Sequence, residues 1–105
     1  MKLVFADKSL ETLCNSRAML RARLGEKLSK VAERTLHRLN HIPSLADVSE
    51  LPPMSRYLIS NQPELVYAIG PRDKLTMLIR PHASNENAKL SEVDSIFILH
   101  LEAVA

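Results

Sequence analysis

The sequence predicts an α+β fold: a helical hairpin packed on a mostly antiparallel, twisted sheet of four to five strands, in a single domain spanning residues 1–105. Three observations lead there. Leu28, Val31, Ala32, Thr35, Leu36 and Leu39 recur at three- and four-residue spacing, the period of a helix with one buried face. After Pro52-Pro53 the period changes to two, and the residues become rich in Ile, Val, Leu, Tyr and Phe. Short clusters of turn-forming residues separate these later runs at intervals suited to hairpins.

Taken in order, Lys2 to Phe5 is a short β-prone run and the first strand. Asp7 or Ser9 then caps a helix whose inner face carries Leu10, Leu13 and Cys14. From Ser16 the pattern stays helical, interrupted only at Gly25, so two antiparallel helices hinged near that glycine are expected. Lys27, Lys30, Arg34 and Arg38 repeat on a face away from the apolar stripe, and Pro43 ends the second helix. Leu45 to Pro53 is read as a connection. Strands follow at Arg56–Ser60, Leu65–Gly70, Leu75–Arg80 and Val93–Leu101. The last of these has apolar residues pointing both ways in Ile96-Phe97-Ile98-Leu99, which places it inside the sheet.

Composition narrows the function classes. At 105 residues, with 46% hydrophobic and 25% charged residues, the chain can bury one core without a metal or a disulfide. The single cysteine, Cys14, excludes an internal disulfide and a thiolate metal cluster, and its apolar surroundings suggest a structural thiol. His37 and His41 stand at metal-compatible helical spacing but have no third ligand nearby, so no metal site is expected. No apolar run reaches the roughly 18 residues of a membrane span. With Asp7 following closely on Met1 there is no signal-peptide pattern, and a cytoplasmic location is expected.

A net charge of +2 is too small to announce a nucleic-acid binder, but its distribution is uneven. Between Arg17 and Arg38 lie Arg17, Arg21, Arg23, Lys27, Lys30, Arg34 and Arg38, opposed only by Glu26 and Glu33. The acids gather instead between Asp47 and Glu64 and after His82. One sheet face is covered by the helices, and the other is where function is expected.

Several pieces carry a resemblance. The run from Gly25 to Leu39, then Pro43-Ser44-Leu45-Ala46-Asp47 and Leu51-Pro52-Pro53, looks like the HigB branch of the RelE/ParE toxin superfamily. So do Arg56 just beyond the prolines, a strand closing on Pro81, and Leu90-Ser91-Glu92-Val93-Asp94-Ser95-Ile96 leading into the last strand. The resemblance covers nearly the whole chain. It implies a RelE/ParE-like fold and a role as toxin in a type II toxin–antitoxin module, with a helix-turn-helix antitoxin as partner. The implied activity is ribosome-dependent cleavage of mRNA without metal or small-molecule cofactor, by attack of a 2′-hydroxyl on the adjacent phosphate. That reaction needs a base, a cation on the phosphate and an acid at the leaving oxygen.

At the positions where the family keeps these groups, the chain departs. The family's strand arginine corresponds to Thr76, its Asp-Tyr-His-type ending to Ala103, Val104 and Ala105, and its His/Lys region to Tyr57-Leu58-Ile59-Ser60. The resemblance is thus to a toxin with a degenerate active site, and no catalytic residue is assigned. The candidate nucleic-acid contacts are Arg56, Tyr57, Arg72, Lys74, Arg80 and His82. Arg80 projects to the same side as Thr76 and is the substitute phosphate ligand, or else an exposed strand-end charge. Arg56 either touches RNA or clamps the acidic connection near Asp47 and Glu50. Tyr57 and Tyr67 either stack on bases or pack. His82 and His100 are the histidines of the sheet half, the residue type suited to acid–base work near neutral pH, and His100 flanks the altered ending. The alternative to an endonuclease is a catalytically inactive binding protein on the same scaffold, engaging an antitoxin or the ribosome. A gyrase-directed toxin is a third reading for which the residues offer nothing specific.

Overall fold

The structure is a computed structural model describing residues 1–71, 73–82 and 89–104. Strand β1 (Lys2–Phe5) leads into α1 (Lys8–Cys14), α2 (Arg17–Leu24) and α3 (Glu26–His41). A 3-10 turn at Leu45–Asp47 precedes β2 (Tyr57–Ser60), β3 (Val66–Ile69), β4 (Leu75–Pro81) and β5 (Ser95–Ala103). The chain is α+β, with three α-helices and a five-stranded mixed sheet among the described residues, in the order β1-β5-β4-β3-β2. All neighbours are antiparallel except β1 and β5, which run parallel. The last strand lies inside the sheet, as its two-sided apolar run requires.

Local chemistry sets the helix ends. Asp7 accepts from the Leu10 amide at 2.8 Å and starts α1; Ser16 accepts from the Met19 amide at 3.2 Å and starts α2. The expected first helix is therefore two. Its pattern breaks at Asn15–Ser16, where Ser16 is extended and caps the second piece. Gly25 is the expected hinge between α2 and α3, at φ +86° and ψ 167°, a region nearly confined to glycine. The helix α3 ends at His41, two residues before Pro43.

Ala32, Thr35 and Leu39 of the α3 stripe are buried, with Leu28, Val31 and Leu36 half-buried beside them. Ser29 is buried as well, its hydroxyl donating to the Glu26 carbonyl at 2.8 Å. Leu75, Met77 and Ile79 of β4 and Ile96 and Ile98 of β5 complete the core and are fully enclosed. The segment read as a mere connection also belongs to it. Leu45 and Val48 are completely buried, and the Leu45 amide donates to the Val93 carbonyl at 2.9 Å, tying the connection to the start of β5.

Cys14 is half-buried, and desolvation pushes its thiol from the ordinary 9.0 up to about 11. A raised folded-state value means that its stabilising contribution is full below pH 9 and is lost as pH rises toward 11. At pH 8, alkylation of Cys14 by iodoacetamide in the native protein is expected to be about 100-fold slower than in the unfolded chain. Equal rates would mean the thiol is not shielded.

The two glycines give a second test. Gly70 has φ +112°, and a β-carbon there would lie 2.8 Å from the Leu75 carbonyl oxygen, whereas one at Gly25 would meet nothing within 4 Å. Gly25→Ala should cost only the backbone strain, about 1–3 kcal/mol. Gly70→Ala adds a backbone clash and should lower the midpoint of urea unfolding further than Gly25→Ala does.

Candidate functional site

Alternation along β4 decides what reaches the sheet face opposite the helices. Leu75, Met77 and Ile79 point into the core, so Thr76, Leu78 and Arg80 line the other side. Register carries the same face onto the neighbours: Arg80 lies opposite Phe97, Leu78 opposite His100, and Thr76 opposite Glu102. On the far side Leu78 faces Ala68, which in turn faces Tyr57. Arg80 and Thr76 thus share a face, as their spacing predicts.

A β-bulge shapes this surface. Ile79 pairs with Ile98 but Leu78 pairs with His100, leaving Leu99 as the extra residue on β5. The bulge turns His100 and Glu102 onto the open face and returns Leu101, which is 4% exposed, to the core.

Arg80 is the centre of the polar cluster. Its guanidinium sits 4.4 Å over the Phe97 ring, a cation–π contact, and its Nε lies 3.0 Å from Glu64. The ring of His82 lies 4.4 Å from that of Phe97, and its Nδ1 is 3.2 Å from the Ser95 hydroxyl. The His82 amide also donates to the Ser95 carbonyl at 2.9 Å, extending the β4–β5 pairing by one bond. Farther along β5, His100 Nε2 is 3.1 Å from Glu102, with both side chains well exposed. The arrangement brings one arginine, two histidines and an aromatic ring to adjacent strands.

The other candidates are distributed differently. Arg56 is a structural clamp: its Nε donates to the Val48 carbonyl at 2.9 Å, a guanidinium nitrogen lies 3.4 Å from Glu50, and its side chain is only 11% exposed. It also sits 5.4 Å over Tyr67, which is buried in the core. Arg56 thus makes the contact with Glu50 that the clamp reading names, and Tyr67 packs in the core. Tyr57 is exposed on the edge strand β2 beside the exposed Leu58 and Ile59. Lys74 lies exposed on the β3–β4 turn, away from the Arg80 cluster. Arg72 and Ala105 lie outside the described residues. Sequence reading did not single out Phe97, Ser95, Glu64 or Glu102, which become partners only through strand register. Among the described residues no group of three or more potential ligands could hold a metal ion, and His37 and His41 simply stack at 4.3 Å on the exposed side of α3. Among the described residues no helix is long and apolar enough to cross a membrane.

Arg56→Ala would strand the Val48 carbonyl and release the connection from β3. A loss of about 1–3 kcal/mol in unfolding free energy is expected, the cost of a broken charged hydrogen bond at a nearly buried site. Wild-type stability for the variant would show that Arg56 holds nothing together. Comparison with known proteins gives no match: no family model, no curated protein and no solved structure matches this chain.

Proposed function

We propose that this protein is a toxin-like component of a type II toxin–antitoxin module, with the open sheet face directed at RNA and metal-independent mRNA cleavage on the ribosome as its activity. The observation that carries the reading is the set of groups on that face: Arg80 with His82 on one side and the His100–Glu102 pair along the neighbouring strand. The sequence resemblance to HigB-like toxins supports it, as does the helical layer covering the opposite face of a mostly antiparallel sheet.

Three roles must be filled. His100, its Nε2 held by Glu102, has Nδ1 left to take the proton from a ribose 2′-hydroxyl. The resulting oxygen attacks the adjacent phosphorus while Arg80 neutralises a non-bridging oxygen. His82 donates a proton to the departing 5′-oxygen, leaving a 2′,3′-cyclic phosphate and a free 5′-hydroxyl. Arg80 and His100 are offset by two residues along β4, roughly 7 Å, which side chains of this length can span around one phosphate. Arg80 must first exchange Glu64 for the phosphate. An ion pair this exposed is worth only about 0–1 kcal/mol, so a phosphate diester competes for it readily.

A second reading is a binding protein on the same scaffold, engaging an antitoxin or the ribosome without turnover. It is favoured by the carboxylates already facing Arg80 and His100 and by Thr76 where the family keeps an arginine. Induced expression separates the two. Under the first reading growth stops and transcripts are cut, His100→Ala lowers cleavage about 10²–10⁴-fold, and Arg80→Ala lowers it about 10²–10³-fold. Intact transcripts, with a small DNA-binding protein co-purifying, would replace it with the second. A DNA-damage response with intact transcripts would point to gyrase and defeat both.

A further inference from the structure

On the side of the molecule built by α3, a cleft of about 680 Å³ opens between that helix, the connection around Pro52-Pro53 and the β3–β4 turn. We propose that this cleft binds a phosphorylated ligand of nucleotide size. The proposal does not depend on the reading of the sheet face.

Charge is the first argument. Arg34 and Arg38, one turn apart on α3, face Lys74 of the β3–β4 turn across the cleft. None of the three has an ion-pair partner among the described residues. Two acids also line the space. Glu50 is engaged by Arg56 at 3.4 Å, which leaves Asp73 alone against three cations and a local excess of two positive charges. Paired guanidinium groups with an ammonium opposite suit the tetrahedral oxygens of a phosphate.

The floor is the second argument. Val31, Pro52, Pro53 and Pro71 present an apolar surface beside the cations, suited to the flat face of a base rather than to a bare ion. The volume falls within the roughly 300–1,000 Å³ of small-molecule sites.

Ser55 is the third. It lines the cleft, is 4% exposed, and is held at φ +49°, a left-handed conformation uncommon outside glycine and asparagine. Its amide bonds to the Leu51 carbonyl at 3.0 Å, yet its hydroxyl makes no hydrogen bond among the described residues. No buried side-chain nitrogen or oxygen among the described residues lacks a partner, so this hydroxyl is reached by solvent rather than sealed in, and it is available to an external partner.

The test is calorimetric titration of the protein with adenosine 5′-diphosphate and, separately, with a 5′-phosphorylated hexaribonucleotide. Saturable binding of either supports the site, and which one binds identifies the source of the phosphate. Arg34→Gln and Arg38→Gln should each weaken it about tenfold or more. Lys27→Gln, which removes the same charge from α3 outside the cleft, should leave it unchanged. Ser55→Gly relieves the backbone strain, so it should fold at least as stably as wild type while binding more weakly. No binding of either probe, or equal weakening by Lys27→Gln, would overturn the proposal. So would full affinity in both arginine variants.

Discussion

The burial of the α3 stripe against one face of β4 and β5 is the constraint on which the remaining structure rests. Ala32, Thr35 and Leu39 on the helix, and Leu75, Met77, Ile79, Ile96 and Ile98 on the strands, leave almost no surface to water. Burying a side chain of this kind is worth about 1.5–3 kcal/mol, far more than any exposed ion pair in the molecule. A one-residue slip in β4 would send its three core residues to the open face, so register there is tightly determined. Everything polar on the opposite face inherits its position from that apolar choice.

The charges then divide by layer. On the sheet face the cations meet carboxylates, Arg80 with Glu64 and His100 with Glu102, and Arg56 near the edge is tied to Glu50. On the helical layer Lys30 pairs with Glu26 and Arg17 with Glu33, while Arg34 and Arg38 have no such partner among the described residues. Exposed pairs of this sort add little stability. Their effect is on what an incoming anion must displace, a carboxylate on the sheet face and mostly water beside α3.

Most of the fold was legible because it is written in local periods. The change from helical to alternating spacing, the Gly25 hinge, the cap at Asp7, for which Ser9 was the alternative, and the inner position of the final strand all depend on neighbours within a few residues. What escaped depends on distant partners. The connection from Leu45 to Pro53 has no regular period, yet Leu45 and Val48 are fully buried because Val93 and the helices close over them. Arg56 was equally compatible with RNA contact and with a clamp, since only the fold brings Val48, Glu50 and Tyr67 around it. The cleft beside α3 was invisible for the same reason, its cations coming from segments some forty residues apart.

The bulge at Leu99 shows most plainly why the site resisted sequence reading. Strict alternation from Phe97, which faces away from the helices, would send Leu99 to that same side and His100 inward toward the core. Glu102 would follow His100, and Leu101 would be left in water. The extra residue reverses all three assignments at once: His100 and Glu102 emerge together, and Leu101 returns to the apolar interior. The arrangement is self-consistent energetically, because burying an imidazole and a carboxylate without partners would cost several times what the lost ladder bond is worth. The apolar demand of Leu101 and the polar demand of its two neighbours thus select the same irregularity, and that irregularity brings the His100–Glu102 pair onto the same face as Arg80.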